Sequence, residues 1–205
     1  MFARAQAERV RTPQQDRSRA TRQRLLEAAL DCLVEYGWAG TTTTVVAERA
    51  GVSRGAQLHH FPTRASLVLA AVEHLMQRRA DEIRTEAAAL PPGARLDRAI
   101  DMLVAAFTGP LFSAALEVWV AARTDAELRE ALVPLEARLG RELYRLTVEA
   151  LGVDDSRPHV RAAVQATLDL LRGLGVANLL SDDSHRRHAL LGAWKRQLST
   201  MIGAD

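Results

Sequence analysis

The stretch TTTTVVAERAGVSRGAQLHHFPTRASL, residues 41–67, decides the fold. Two short segments within it are separated by Gly51, and each follows a hydroxyl side chain that can accept a hydrogen bond at a helix N-terminus. Small and apolar residues recur where two crossing helices must touch, at Val46, Ala47, Ala50 and Val52. This pattern predicts two brief helices joined by a tight turn, which is a helix-turn-helix unit.

The segments on either side of this unit predict longer helices. Upstream, a start signal at Thr12-Pro13 precedes a helix that ends at the glycines 37 and 40, with an apolar stripe of Leu26, Ala29, Leu33 and Tyr36. Downstream, Thr63 caps a helix over 64–90, and further helices are predicted at about 95–108, 111–123, 125–151, 158–180 and 184–202. Pro134 is expected to kink or split its helix. The prediction is an all-α chain of about nine or ten helices.

Composition agrees with a helical protein of one or two domains. Hydrophobic residues make up 48% of the 205 residues but aromatic residues only 4%, so the core must be mostly Leu, Ala and Val, which excludes an all-β chain. The one cysteine, Cys32, allows no internal disulfide and is expected to be a core residue. The longest uncharged stretch, 102–116, is too short to span a membrane, and no secretory leader is visible. We expect a cytoplasmic, nucleoid-associated protein with no membrane contact.

Charge is distributed unevenly along the chain. Residues 1–80 hold twelve arginines against seven carboxylates, a net charge of +5, whereas residues 81–205 carry a net charge of −3. A basic N-terminal part on a near-neutral body is typical of a module that binds a polyanion, joined to one that does not. The first twelve residues are expected to be a disordered basic tail.

The chain resembles the TetR/AcrR family of transcriptional regulators over about residues 17–68. The resemblance depends on several motifs taken together: Thr21-Arg22-x-x-Leu25-Leu26-x-Ala28-Ala29, Gly37, the threonines 41–44, Val46-Ala47-x-x-Ala50-Gly51-Val52-Ser53-x-Gly55 and His60-Phe61-Pro62-x-Arg64-x-x-Leu67. It implies a three-helix DNA-binding domain over 13–65 and a helical ligand-binding and dimerisation domain over 66–205. It also implies a homodimer, a palindromic double-stranded operator and an unidentified small-molecule inducer that releases a repressor.

The residues expected to contact DNA are Arg22, Thr42, Thr43, Thr44, Arg54, Gly55, Ala56, Gln57, His59, His60 and Arg64. Arg54 is expected to bind guanine and Gln57 adenine, each through two hydrogen bonds. Thr42, Thr43, His60 and Arg64 are expected to contact phosphates, while Thr44 lies where some family members have a base-reading basic residue. The family usually has an apolar residue and then tyrosine at the positions of Gln57 and Leu58; Leu58 is therefore predicted to anchor the helix in the core.

Two further sites are expected in the second domain. The residues expected to line an apolar ligand pocket, or alternatively to be ordinary core, are Met102, Phe107, Phe112, Leu116, Trp119, Tyr144 and Thr147. The residues expected at the dimer interface are Leu168, Leu171, Gly173, Gly175, Leu179, Leu191 and Trp194. Glycines inside an apolar helix indicate close approach of another helix, which is either the dimer mate or the chain's own last helix.

Other classes of function are weakly supported by the sequence. His185 and His188 have the spacing of a metal half-site but are more simply a solvated helix start, and the adjacent His59 and His60 cannot chelate one ion together. No nucleophile motif or phosphate-binding loop is present, so we expect no enzyme activity, no catalytic residue, no metal and no cofactor. The main alternative is a helical ligand-binding or adaptor protein whose helix-turn-helix contacts another protein.

Overall fold

The computed structural model describes residues 13–89, 91 and 94–203, and these residues form nine helices and no strand. The helices are α1 (Pro13–Gly40), α2 (Thr43–Ala50), α3 (Arg54–His60), α4 (Arg64–Ala88), α5 (Arg95–Thr108), α6 (Pro110–Ala122), α7 (Ala126–Leu151), α8 (Pro158–Ala177) and α9 (Ser184–Ile202). The all-α prediction is confirmed. The predicted basic tail, the cap at Thr12 and the helix end at Leu90 lie outside the described residues.

Side-chain caps set the boundaries of the short helices, as the sequence predicts. The hydroxyls of Thr42, Ser53 and Thr63 each accept a hydrogen bond from a backbone N–H at the start of α2, α3 and α4. Gly51 ends α2 in the left-handed conformation, at φ 61° and ψ 40°, which glycine adopts without steric cost. Since these signals are local, the predicted bounds of the helix-turn-helix agree closely with the structure.

The helix-turn-helix is held by its own apolar core. Leu25, Leu26 and Cys32 of α1 pack with Val46 of α2, with Phe61 and with Leu67 at the start of α4, and all are buried. The prediction that Cys32 is a core residue is therefore confirmed, and burial raises the pKa of its thiol. Tyr36, which the sequence places on the buried stripe, is instead 45% exposed, with the guanidinium of Arg49 lying over its ring.

A second core joins the helix-turn-helix to the rest of the chain. Leu33 of α1 and Val68 of α4 pack against α6 and α7 residues that include Val118, Leu128 and Leu135. The helix α4 contributes to both cores without interruption. No flexible linker separates the two parts, because they share buried side chains.

The C-terminal bundle consists of α5 to α9 together with the end of α4. Two apolar clusters hold it, one around Ile100, Val160 and Leu198 and one around Phe107 and Leu171. The helix α7 continues through Pro134, so the predicted split is absent. Within the described residues no single helix is long and apolar enough to cross a membrane; only α5 and α6 taken together reach the length, and they are bent by 54°.

Candidate nucleic-acid interface

The turn between α2 and α3 fixes the position of α3. The N–H of Gly51 donates to the carbonyl oxygens of Ala47 and Glu48, and Arg24 of α1 donates to the carbonyl oxygen of Ala50 at 3.4 Å. The backbone N–H of Val52 also donates to Ala47, at 3.0 Å. The two helices are therefore locked at their junction by backbone groups, and Arg24 ties the end of α2 to α1.

The start of α2 has the features of a phosphate-binding helix terminus. Thr42 is exposed and its hydroxyl accepts from the N–H of Val45 at 3.2 Å, while Thr43 is half-buried and Thr44 exposed. The positive end of a helix dipole favours an anion at this place. Thr41 is not available there, since it is buried and its hydroxyl donates to the carbonyl oxygen of Gly37 at 2.7 Å.

One face of α3 is open to solvent. Arg54, Gly55, Leu58 and His59 are exposed, and at 100° per residue they form a continuous surface along the helix. In the part of the chain that the structure describes, a Cβ atom added at Gly55 would meet no neighbouring group within 4 Å. Among the described residues Arg54 has no hydrogen-bond or ion-pair partner. The guanidinium and the glycine backbone are therefore free to approach a ligand.

Gln57 is not on this face, and its prediction as an adenine-reading residue is wrong. Its side chain is 0% exposed, and Nε2 donates to the carbonyl oxygen of Phe61 at 2.7 Å. Its Oε1 atom is buried and has no hydrogen-bond partner among the described residues. Leu58 is 43% exposed, so the prediction that it anchors the core is also wrong. The two neighbours have exchanged the expected exposure, because Gln57 is buried and Leu58 is open to solvent.

His60 and Arg22 lie together at the edge of α3, next to Phe61. The Arg22 guanidinium is 5.3 Å from the centre of the Phe61 ring, and the His60 ring lies against the same ring at 6.4 Å. Partial burial, and then the nearby His59 and Arg22, lower the pKa of His60. The His60 ring is half-buried, as is Ala56, whereas Arg22 is exposed.

Arg64 is predicted to contact a phosphate, but its side chain packs against α1 instead. Its guanidinium lies 3.7 Å from the centre of the Trp38 ring at the end of α1, and its Nε atom is buried without a partner. Burial lowers the pKa of Arg64, and the charge of Asp125 acts in the opposite direction. The side chain is thus part of the junction between the two domains.

The same junction contains a contact that sequence reasoning missed. Glu117 of α6 accepts a hydrogen bond from the backbone N–H of Trp38 at 2.7 Å. The preceding Gly37 has φ 65° and ψ −174°, and a Cβ atom there would collide with the Glu117 carboxylate. A glycine with positive φ is needed both for the backbone and for the space. The isolated Gly37 just before Trp38 is the only sequence signal that points to this contact.

The predicted pocket residues are only partly brought together. Phe107, Phe112 and Trp119 form a row of edge-to-face rings, with centres 5.3 and 6.5 Å apart. Thr147 is buried and its hydroxyl donates to the carbonyl oxygen of Leu143. Met102 and Leu116 are half-buried outside these ring contacts. Tyr144 is the member that lines an open cleft of about 1140 Å³ between α4 and α7, and its hydroxyl donates to Asp155 at 3.1 Å.

A half-buried carboxylate next to this aromatic row was also missed. Burial raises the pKa of Glu136, while the charge of Arg172 and a hydrogen bond with Trp119 act in the opposite direction. A folded-state pKa above its unfolded value means that the ionised carboxylate opposes folding as the pH rises. Nothing in the spacing of Trp119 and Glu136, which lie on different helices, indicates their contact.

Most of the residues predicted for a dimer interface lie inside the bundle. Leu168, Leu171 and Gly175 are buried, and a Cβ atom at Gly175 would overlap the carbonyl oxygen of Phe107, so their prediction as interface residues is wrong. Trp194 is half-buried and its Nε1 donates to Thr167 at 3.1 Å, and Leu191 packs on two apolar clusters. Gly173 and Leu179 are exposed.

Histidine pairs and acidic groups do not form a metal centre among the described residues. No group of three or more His, Cys, Asp or Glu side chains there has a suitable arrangement. His185 and His188 are both exposed in the first turns of α9.

Comparison with known proteins matches the helix-turn-helix segment to a protein family and most of the chain to a curated relative. Residues 25–71 match the family model "Bacterial regulatory proteins, tetR family". The HTH-type transcriptional regulator CymR of Pseudomonas putida is 35% identical over 181 residues, which cover 86% of this chain and 88% of that protein.

Solved structures share the whole fold. The multidrug binding protein EbrR complexed with proflavin has a TM-score of 0.57 and 21% identity, covering 89% of this chain and 99% of that one. FadR of Bacillus subtilis in complex with stearoyl-CoA has a TM-score of 0.63 and 15% identity, covering 88% and 98%. With the helix-turn-helix geometry, the family model and a relative aligned along most of both chains, this chain belongs to the TetR family of DNA-binding transcriptional regulators.

Proposed function

We propose that this regulator is a repressor that binds a palindromic operator as a homodimer and leaves it when a small molecule binds the C-terminal bundle. The observation that carries the proposal is the open face of α3, where Arg54 beside Gly55 has no partner among the described residues, on a helix-turn-helix that shares its core with the bundle. An α-helix of this kind fits the major groove, and an arginine there binds guanine O6 and N7.

The outer surface of α8 and its C-terminal end supports a dimer. Val176, Leu179 and Leu180 are exposed there, Leu180 to 99%, and Leu190 of α9 is exposed as well. Several large apolar side chains at the end of one helix pair are typical of a protein–protein interface. If a second copy of the chain packs on this surface, a dimer that binds successive major grooves must hold its two α3 helices about 34–36 Å apart.

The cleft between α4 and α7 is the place we propose for the effector. Its walls combine apolar side chains such as Met76 and Leu139 with ion pairs that cross from one helix to the other. Arg138 of α7 pairs with Glu73 of α4 at 3.1 Å, and Arg84 of α4 pairs with Glu142 of α7. A molecule bound between the two helices would contact these pairs, and we propose that it shifts α4, the helix that also packs in the DNA-binding core.

The proposal is tested by selecting duplexes from a random-sequence library with the full chain and measuring their affinity at several salt concentrations. Counterion release predicts a linear fall of log K with log salt, with a slope of about 0.9 for each phosphate contact. The selected duplex is then titrated with a small-molecule panel that includes proflavin and stearoyl-CoA. If the protein enriches no duplex at low salt, operator binding is contradicted. If no compound releases the protein from the selected duplex, the proposed induction is contradicted.

Arg54 and Thr43 are expected to contribute to binding in different ways. Arg54→Ala should relax sequence preference, with a loss of about 1–3 kcal/mol on the selected operator and almost none on random DNA. Thr43→Ala should weaken binding to all duplexes about equally, because phosphate contacts carry no base information. Both variants are titrated against both duplexes. Equal losses for Arg54→Ala on operator and random DNA would show that Arg54 does not read a base.

Glu117 is expected to transmit the effector signal. The helix α6 holds the end of α1 through the hydrogen bond to Trp38, so Glu117→Ala should leave operator binding in place and reduce release by any compound that releases the wild type. The measured quantity is the ratio of operator Kd values with and without that compound, which should fall toward one. Glu130→Ala removes an exposed carboxylate of α7 and serves as the control. An unchanged ratio in Glu117→Ala would exclude this contact from signal transmission.

A further inference from the structure

We infer that Leu58 is a specificity residue that reads the 5-methyl group of a thymine in the operator. The inference rests on the proposed operator binding and concerns a side chain that sequence reasoning placed in the core. A single exposed leucine needs no explanation by itself. The position of Leu58 on α3, however, indicates a role for its exposed side chain.

Leu58 lies near the middle of the open face of α3. It is four residues after Arg54 and three after Gly55, so all three share one surface of the helix. Gly55 carries no side chain, and beyond its chain neighbours and its own helix backbone no atom of the described residues lies within 4 Å of where a Cβ would be. The isobutyl group of Leu58 is therefore unshielded on that side, beside a guanidinium with no partner among the described residues.

The chemistry of the major groove leaves one good partner for such a group. The base pairs present hydrogen-bond donors and acceptors there, and the only apolar group is the thymine methyl. An apolar side chain placed among these polar edges loses water without gaining a bond, whereas against a thymine methyl it gains an apolar contact. Leu58 thus favours thymine over cytosine at one position in each half-site.

The spacing along the helix limits where that thymine lies. Four residues of α-helix rise about 6 Å. Successive bases of one strand are about 3.4 Å apart, so the thymine should lie within about two base pairs of the guanine bound by Arg54.

Uracil scanning tests this inference, because uracil differs from thymine only by the missing methyl group. The duplex selected by the wild-type chain is resynthesised with each thymine replaced in turn by deoxyuridine, in both half-sites. Wild-type protein should lose about fourfold in affinity for each half-site at one thymine position. Leu58→Ala should bind the thymine and uracil duplexes equally well. Val133→Ala, which shortens an exposed side chain on α7, should respond to uracil as the wild type does.

Other results would overturn the inference. Leu58→Ala that weakens all duplexes uniformly, with the uracil effect unchanged, would assign Leu58 to the DNA backbone. A large fall in the thermal unfolding midpoint of Leu58→Ala would show that Leu58 stabilises the core and does not read a base. A selected operator without a methyl-dependent position would exclude thymine reading, while the same selection would still establish sequence-specific binding. Failure to enrich any duplex would contradict operator binding itself and this inference with it.

Discussion

Gly175→Ala is expected to destabilise the protein by about 1–3 kcal/mol, as overpacking of a closed core does. The added methyl group would overlap the backbone carbonyl oxygen of Phe107 and lie 2.6 Å from a ring carbon of Phe112. A ring can turn, but the carbonyl belongs to α5 and moves only with that helix. The loss is measured by urea unfolding followed by circular dichroism.

Gly173→Ala, two residues earlier in α8, is the matched control. No neighbouring group of the described residues lies within 4 Å of a Cβ at this position. Alanine is the better helix former, so this variant should be more stable by roughly 0.5–1 kcal/mol. The same substitution is thus expected to have opposite signs at the two sites. A concentration-dependent loss in Gly173→Ala would instead show that a second copy of the chain approaches α8 at this glycine.

Gln57→Glu is expected to cost several kcal/mol of folding free energy at pH 8, about 3–5 for an uncompensated buried charge. The side chain is 0% exposed, and its Nε2 now donates to the carbonyl oxygen of Phe61. A carboxylate cannot donate and would repel that carbonyl. A protonated carboxyl group has nearly the same shape as the amide and can donate to Phe61, so burial must raise the pKa of the new group in the folded state.

The sign of the pH dependence follows from that shift. Below the unfolded-state pKa of a glutamate, about 4.3, both states are protonated and the variant should be close to wild type. The loss should grow as the pH rises toward the folded-state pKa and then stay constant. Unfolding is measured from pH 4 to 8, with Gln197→Glu on the exposed side of α9 as the control. A loss independent of pH would show that the introduced carboxyl group reaches water.

The helix bounds predicted best from the sequence are those set by contacts between residues close together in the chain. Thr42, Ser53 and Thr63 cap their helices through groups three residues away, and Gly51 ends α2 by its own conformation. In each of these caps, the residue that accepts the hydrogen bond and the residue that donates it lie within one helical turn of each other in the sequence. The bounds of α2 and α3 and the start of α4 can therefore be predicted from the sequence alone.

The roles of Gln57 and Leu58 could not be read in the same way. A helix of seven residues, such as α3, has too few turns for its apolar side to be defined, and a rotation by one residue exchanges the two side chains. The packing of α3 against its neighbours decides that rotation. Packing between helices also decides the position of Arg64, which stacks on a tryptophan 26 residues earlier in the chain.

The spacing of apolar residues along α8 distinguishes its two glycines from each other. The buried residues Val164, Leu168, Leu171 and Gly175 follow one another at spacings of four, three and four, which is one helical stripe. Gly173 is outside that stripe. The sequence alone thus separates the packed glycine from the exposed one, although it does not say that the neighbouring helix is α5.

The hydrogen bond between Glu117 and the backbone of Trp38 has a consequence for protein engineering. Exchanging DNA-binding modules between regulators treats residues up to the start of α4 as a transferable cassette. In this chain the end of α1 is completed by a carboxylate from α6, and Gly37 leaves the space in which that carboxylate lies. A hybrid that receives this helix-turn-helix should therefore also receive a glutamate at the position of Glu117, and a foreign cassette grafted here needs glycine at the position of Gly37.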